Sequence, residues 1–168
     1  MPDARKSRFS RKLILGLIAA SAMTADPLLA GTLPTAGKFA AGTGNISTVG
    51  NNMTIDQSTR YGIINWKGFS IGNGNTVEFN NGSGATLNRV TGVNISNIDG
   101  MLAATGSVYL INPNGVVIGP GGKVLTNGDF IASTRDVSNQ NFLQGGTLTF
   151  SGTSSGTVVN EGKITSTL

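Results

Sequence analysis

The sequence predicts an all-β chain, and within that class a parallel β-helix. Gly and Asn punctuate short Val, Ile, Leu and Phe runs throughout, and 25 of the 168 residues are Gly; apolar runs of this kind bounded by turn residues read as strands. Turn signals recur about every ten residues, and similar units (A-T-L-N-R-V-T-G at 85–92, G-S-V-Y-L-I-N-P-N-G at 106–115) recur at roughly twenty, a solenoid spacing. Only 12% of residues are charged while 38% are hydrophobic, a balance that excludes ordinary disorder. Asn and Gly corners suit rungs stacked around an apolar interior. A β-sandwich would space its strands similarly and stays open as the alternative.

Residues 1–30 read as a secretory signal peptide. Arg5 to Lys12 form a basic n-region, Leu13–Ala20 an apolar run, and small residues follow. The run falls far short of the roughly 20 residues a membrane span needs. Cleavage after Ala30 follows the helix-breaking Pro27, with Ala22 and Ala25 as alternative sites. Residues 31–168 then form one domain. Thr32–Thr48 is a Gly/Ala/Thr-rich lead-in with weak alternation. Met53–Ser58 alternates, which puts Met53 and Ile55 on one face of a strand. Tyr61–Ile71 is the densest apolar block and holds the only Trp; Trp66 and Phe69 read as packing residues rather than a ligand platform.

Asn73-Gly74-Asn75 turns into the alternating strand Thr76–Phe79. Asn80–Gly84 turns again before Ala85–Val90. The most specified stretch is Ser107–Gly122, where Val108–Ile111 and Val116–Ile118 flank Asn112-Pro113-Asn114-Gly115. Both runs are β-branched or aromatic and too short for a helix. Pro113 presets φ for the second position of a turn, Asn114 tolerates left-handed geometry, and Gly115 supplies positive φ. Further strands are expected at Lys123–Leu125, Asp129–Ala132, Gly146–Phe150 and Gly156–Gly162, with one helical turn near Val137–Leu143. Lys163–Leu168 reads as a strand with no following cap; an open edge there invites association, and a truncated coding frame or a fragment of a larger protein is the expectation.

Charge and composition exclude several chemistries. The formal net charge of +4 resides mostly in residues 1–30, which hold five basic and two acidic residues against seven and six in the remainder. No basic nucleic-acid footprint is present. The chain has no Cys and no His, so thiolate metal sites, disulfides, Cys nucleophiles and His-based triads are absent, and no cofactor or metal is expected. Gly121-Gly122-Lys123-Val124 fails as a phosphate loop, because Val117 and Val124 occupy the positions of its first Gly and its Ser/Thr. The carboxylates after residue 30 are isolated in sequence, so an enzyme acting on polysaccharide would need the fold to bring two together; no enzyme is expected.

Several segments together resemble a known family: I-I-N-W-K-G-F-S-I-G (63–72), N-T-V-E-F (75–79), L-N-R-V-T-G (87–92), L-I-N-P-N-G-V-V-I-G (110–119) and I-A-S-T (131–134). They are similar to the amino-terminal two-partner secretion domain of filamentous haemagglutinin-type exoproteins, over most of residues 38–165. The resemblance implies a right-handed parallel β-helix with an N-terminal β cap and accessory hairpins. It implies a secretion-targeting module whose partner is an outer-membrane two-partner secretion transporter, bound through periplasmic domains, and a secreted or cell-surface protein reached via the periplasm. A host or neighbouring cell surface is a further partner class.

By residue, Asn112, Pro113, Asn114 and Gly115 correspond to the second of the family's two hallmark turns. Asn88 and Arg89, in L-N-R-V-T-G, and Asn94 form a secondary motif; the first hallmark turn falls at Val93–Asn97, where Ile95 stands in place of proline. Two roles are open for the corner: satisfying backbone groups at a rung bend, or touching the transporter. An unfolded, low-charge β-prone segment can add to a transporter strand edge and fold once outside, which opposes backward sliding. The alternative function is a stand-alone adhesin or carbohydrate-binding β-helix, for which exposed Asn, Thr and Tyr109 would serve.

Overall fold

Each apolar run is too short to bury its own side chains, and the chain resolves this by stacking them. In a computed structural model of the chain, residues 32–167 are described; the expected signal peptide lies outside them. β1 (Lys38–Ala41) and β2 (Gly44–Val49) open the fold, followed by β3 (Asn52–Gln57) and β4 (Tyr61–Trp66). Then come β5 (Thr76–Asn80), β6 (Ala85–Val90), β7 (Ser96–Ile98), β8 (Met101–Ala104), β9 (Ser107–Ile111) and β10 (Val116–Ile118). β11 (Lys123–Thr126), β12 (Phe130–Ser133), α1 (Asn139–Gln144), β13 (Val158–Asn160) and β14 (Lys163–Ser166) complete it.

The strands form three walls. The first runs β14-β11-β8-β5-β3-β2, the second β1-β4-β6-β9-β12, and the third β13-β10-β7. From β3 onward all pairings between strands are parallel; β1 on β4 and β2 on β3 are antiparallel. This is a parallel β-helix with an antiparallel start, not a sandwich. Met53, Val77, Leu102 and Val124 stack in register on the first wall, 24, 25 and 22 residues apart. The repeat legible at roughly twenty is therefore one full rung.

Inside the coil lie Ile55, Ile64, Trp66, Phe69, Phe79, Leu102, Leu110 and Ile118, all buried. Trp66 meets Phe69 edge-on at 5.4 Å, and Phe69 stacks on Phe79 at 6.4 Å, so both aromatics of the densest block serve packing. Stacked rungs approach closely at the bend between the first two walls, where Gly84, Gly106 and Gly128 recur every 22 residues. A side chain at Gly84 would overlap the carbonyl oxygen of Arg60 in the rung before.

Between β12 and β13 the chain leaves the coil. Residues 134–157 cross the outside of the second wall, and α1 sits on it, with Ser138 as N-cap and Gly145 as a left-handed C-cap. Val137 and Phe142 are buried there among Ile63, Ala85, Leu87 and Ile111, and Phe142 meets Tyr61 and Tyr109 edge-on. β4 is consequently apolar on both faces, Ile63 outward and Ile64 inward, which is why its sequence does not alternate.

Three expectations change. Gly146–Phe150 is not a strand, because Leu148 and Phe150 pack against this outer cluster and only Ser151 bridges, to Asp136. The helix starts at Asn139, two residues inside the expected stretch, since the Ser138 hydroxyl caps it. The lead-in holds two real strands, with Phe39 and Ile46 packed against the coil interior.

Candidate functional site

The corner at Asn112–Gly115 is a hydrogen-bonded β-turn, closed by Gly115 N–H donating to Asn112 O at 3.1 Å. Pro113 takes the second position, as its ring favours. Among the described non-glycine residues only Ala36 has a positive φ; Asn114 does not adopt the left-handed geometry expected of it. Pro at the second position, Gly at the fourth and a negative φ between them make this a type I pattern. Gly115 does have positive φ, +131°, and a Cβ there would sit 3.2 Å from Thr157 O.

Asn114 contributes through its side chain instead. Its Nδ2 donates to Gly92 O at 2.8 Å and to Asn112 Oδ1 at 3.0 Å. Asn112 is completely buried and uses both ends of its amide. Its Nδ2 donates to Asn94 O and to Ser96 Oγ, each at 2.9 Å, while its Oδ1 accepts from Asn114 N–H at 3.0 Å. The corner thereby holds the preceding rung's loop by two carbonyls, and Asn94 takes part through its main chain. That loop displays Val93, 86% exposed, and Ile95, 44% exposed.

On the other side the corner is latched by the returning excursion. Ser154 Oγ donates to Pro113 O at 2.7 Å, and Val116 N–H donates to Thr157 O at 2.9 Å. A Cβ on Gly156 would stand 2.6 Å from Pro113 O. Sequence reasoning missed the parts that Ser96, Ser154 and Gly156 play at the corner; the Ser/Gly run at 151–156 is the one trace of the last two in the sequence.

Asn88 and Arg89 stand apart from the corner, on β6. Asn88 points into the coil between Ile64 and Leu110, and its Oδ1 accepts from Trp66 Nε1 at 3.0 Å. A buried indole N–H requires such a partner. Arg89 points outward and grips Asp136 with Nε and Nη2 at 2.8–3.0 Å, while Nη2 also donates to Val137 O at 3.1 Å. It fastens the start of the excursion to the second wall. Replacing Arg89 with Ala should cost about 1–2 kcal/mol, since this bidentate pair is partly shielded and also holds a carbonyl. Limited proteolysis should then cut within residues 134–157 before the coil itself is touched.

Tyr109 lines a hollow of about 180 Å³ with Tyr61, Ser107, Phe142 and Leu148. Burial, followed by Asp129 and Tyr61, raises its hydroxyl pKa above the usual tyrosine value, so it stays a neutral donor. Among the described residues, acidic side chains gather nowhere in groups of three or more, and no helix is long and apolar enough to cross a membrane.

Comparison with known proteins converges on one family. Residues 25–167 match the model of the TPS secretion domain. A heme/hemopexin-binding protein of Haemophilus influenzae strain Rd is 46% identical over 107 residues, covering 62% of this chain and 12% of that protein. A second heme/hemopexin-binding protein of H. influenzae is 42% identical over 92 residues, covering 54% of this chain and 10% of the relative. The match thus spans about a tenth of these relatives' length. The crystal structure of the HMW1 secretion domain from H. influenzae superposes with a TM-score of 0.72 at 37% identity, covering 79% of this chain and 36% of that one. The two sequence relatives are named for heme/hemopexin binding and the solved structure as a secretion domain; none of the three is named as a haemagglutinin.

Proposed function

This chain belongs to the TPS secretion domain family, and from that premise we propose that it directs an exoprotein to its own outer-membrane transporter and folds into the β-helix after crossing. The family is one of secretion-targeting domains rather than enzymes, recognised by outer-membrane transporters of the TpsB type. Its exoproteins are secreted through the outer membrane. The transporter's periplasmic domains receive the chain unfolded, and folding outside, worth roughly 5–15 kcal/mol for a domain of this kind, makes return unfavourable without any nucleotide.

One observation supports a structural role for the Asn112–Gly115 corner in this process: Asn112 is completely buried and all its amide contacts are internal. A side chain so placed acts on export through the folding of the coil, by joining consecutive rungs. Contact with the transporter would fall to other residues.

Expression of the full chain with and without its transporter tests the reading. The expected result is chain in the medium only when the transporter is present, and in the periplasm otherwise. Equal release in both cases would refute it.

A further inference from the structure

We infer that the outer edge of β2, with the β2–β3 hairpin that carries it, is the surface to which the transporter's periplasmic domain adds a strand. This rests on the secretion reading above and places its recognition surface. Thr43 O accepts from Ser58 N–H at 2.9 Å, which makes Thr43 and Ser58 a bonded pair of the antiparallel ladder. Bonded and non-bonded pairs alternate in such ladders. Continuing along the register, Asn45, Ser47 and Val49 turn their main-chain groups toward β3. Gly44, Ile46 and Thr48 turn theirs away, a row of three N–H and three C=O groups spaced as a strand requires.

This edge lacks the protection that other edges of the molecule show. β1 is four residues long, carries Lys38 and has a register shift between Phe39 and Ala41. At the opposite end β12 and β13 have four and three residues, and β14 carries Lys163. β2 has six residues in unbroken register, with no charge, no Pro and no bulge. Short length, lysines and bulges are the devices by which edges avoid pairing. All of β2 is exposed except half-buried Ile46, so no described segment covers it. A row of main-chain donors and acceptors with small uncharged side chains fits an extended strand and little else.

The hairpin also suits a chain presented before its rungs stack. β2 and β3 are joined by Gly50-Asn51 alone, with Gly50 at φ +57°, so their pairing is local, whereas β3 must wait for β5, 24 residues on. Local hairpins form in about 1–10 μs. An isolated two-stranded hairpin is marginal in water and a third strand stabilises it. The partner's strand supplies that third strand until the second rung arrives.

The test uses the full chain, diluted from denaturant directly onto the isolated periplasmic domains of the transporter that exports it, so that they meet it before its rungs stack. Thr48→Pro removes one outward N–H while leaving the bonds to β3, a place where an edge tolerates proline. Thr48→Lys installs an edge charge without altering the main chain, and Thr48→Val is the control. Circular dichroism of each variant left to refold without the periplasmic domains should show the same β-rich fold as wild type, so that any loss of binding is not a loss of folding. Binding should weaken by about tenfold or more in the Pro and Lys variants and stay within about threefold in the Val variant. A loss of less than about tenfold in both overturns the β2 assignment while leaving the secretion reading intact. Wild-type chain that does not bind the periplasmic domains overturns both. A wild-type dimer that Thr48→Pro makes monomeric would assign the edge to a second copy of the chain instead, and so overturn the inference.

Discussion

Asn112→Ala is expected to lower the unfolding free energy by about 3 kcal/mol and to leave the chain in the periplasm. Among the described residues the buried amide is the only hydrogen-bond partner of Ser96 Oγ, a fully buried hydroxyl, and it also satisfies Asn94 O and Asn114 N–H. Each polar group orphaned in the interior costs about 1–3 kcal/mol. Asn94 and Asn114 lie at exposed positions where water can replace the lost amide, but Ser96 does not, so the total falls near the upper end for one orphaned group, about 3 kcal/mol, rather than at the sum of three. Asn112→Asp keeps the acceptor for Asn114 and loses only the donor half, and should still export less than wild type. Denaturant unfolding and fractionation of medium against periplasm check both effects, with precursor synthesis unchanged. Full export of a chain that has lost this stability would separate the corner from secretion.

Gly84→Ala is the second large effect. A Cβ at Gly84 would overlap Arg60 O and stand 2.9 Å from Asn81 O, and both are backbone atoms. Neither can move as a flexible side chain would, so two rungs must part at their closest bend. Overpacking of this kind costs about 1–3 kcal/mol, and here the upper end applies. For a domain of this size that is roughly a 10 °C fall in Tm. Gly146→Ala, in open space on the excursion, is the matched control and should leave Tm unchanged. Equal behaviour of the two variants would remove the argument from rung spacing.

What could be read in advance followed from local chemistry. The alternation of Met53 and Ile55, the turn at Asn73–Asn75 and the corner at Asn112–Gly115 each depend on residues within a few positions of one another. Where a residue's partner was distant, the sequence was mute. Nothing in L-N-R-V-T-G assigns Asn88 to either face of its strand, yet it lies inside the coil, where it gives Trp66, 22 residues earlier, the acceptor its indole needs. Gly146–Phe150 has a strand's composition, yet its apolar side chains were taken by an outer cluster assembled from β4, β6 and β9. Asn114 has a left-handed residue's identity, yet Gly92 O, one rung away, draws its amide into a different use.

The amino-acid sequence alone determined that this chain makes short strands and sharp bends at a repeating interval, because φ preference and apolar alternation act within a few residues. It also determined the family resemblance, since the corner and its flanking runs are contiguous. Tertiary structure alone decided that residues 134–157 fold back over the second wall, that Asn112 is sealed between two rungs, and that β2 ends the first wall with no strand beside it among the described residues. Those outcomes depend on which segments arrive beside one another after coiling, and burial and hydrogen-bond satisfaction act on that neighbourhood rather than on sequence distance.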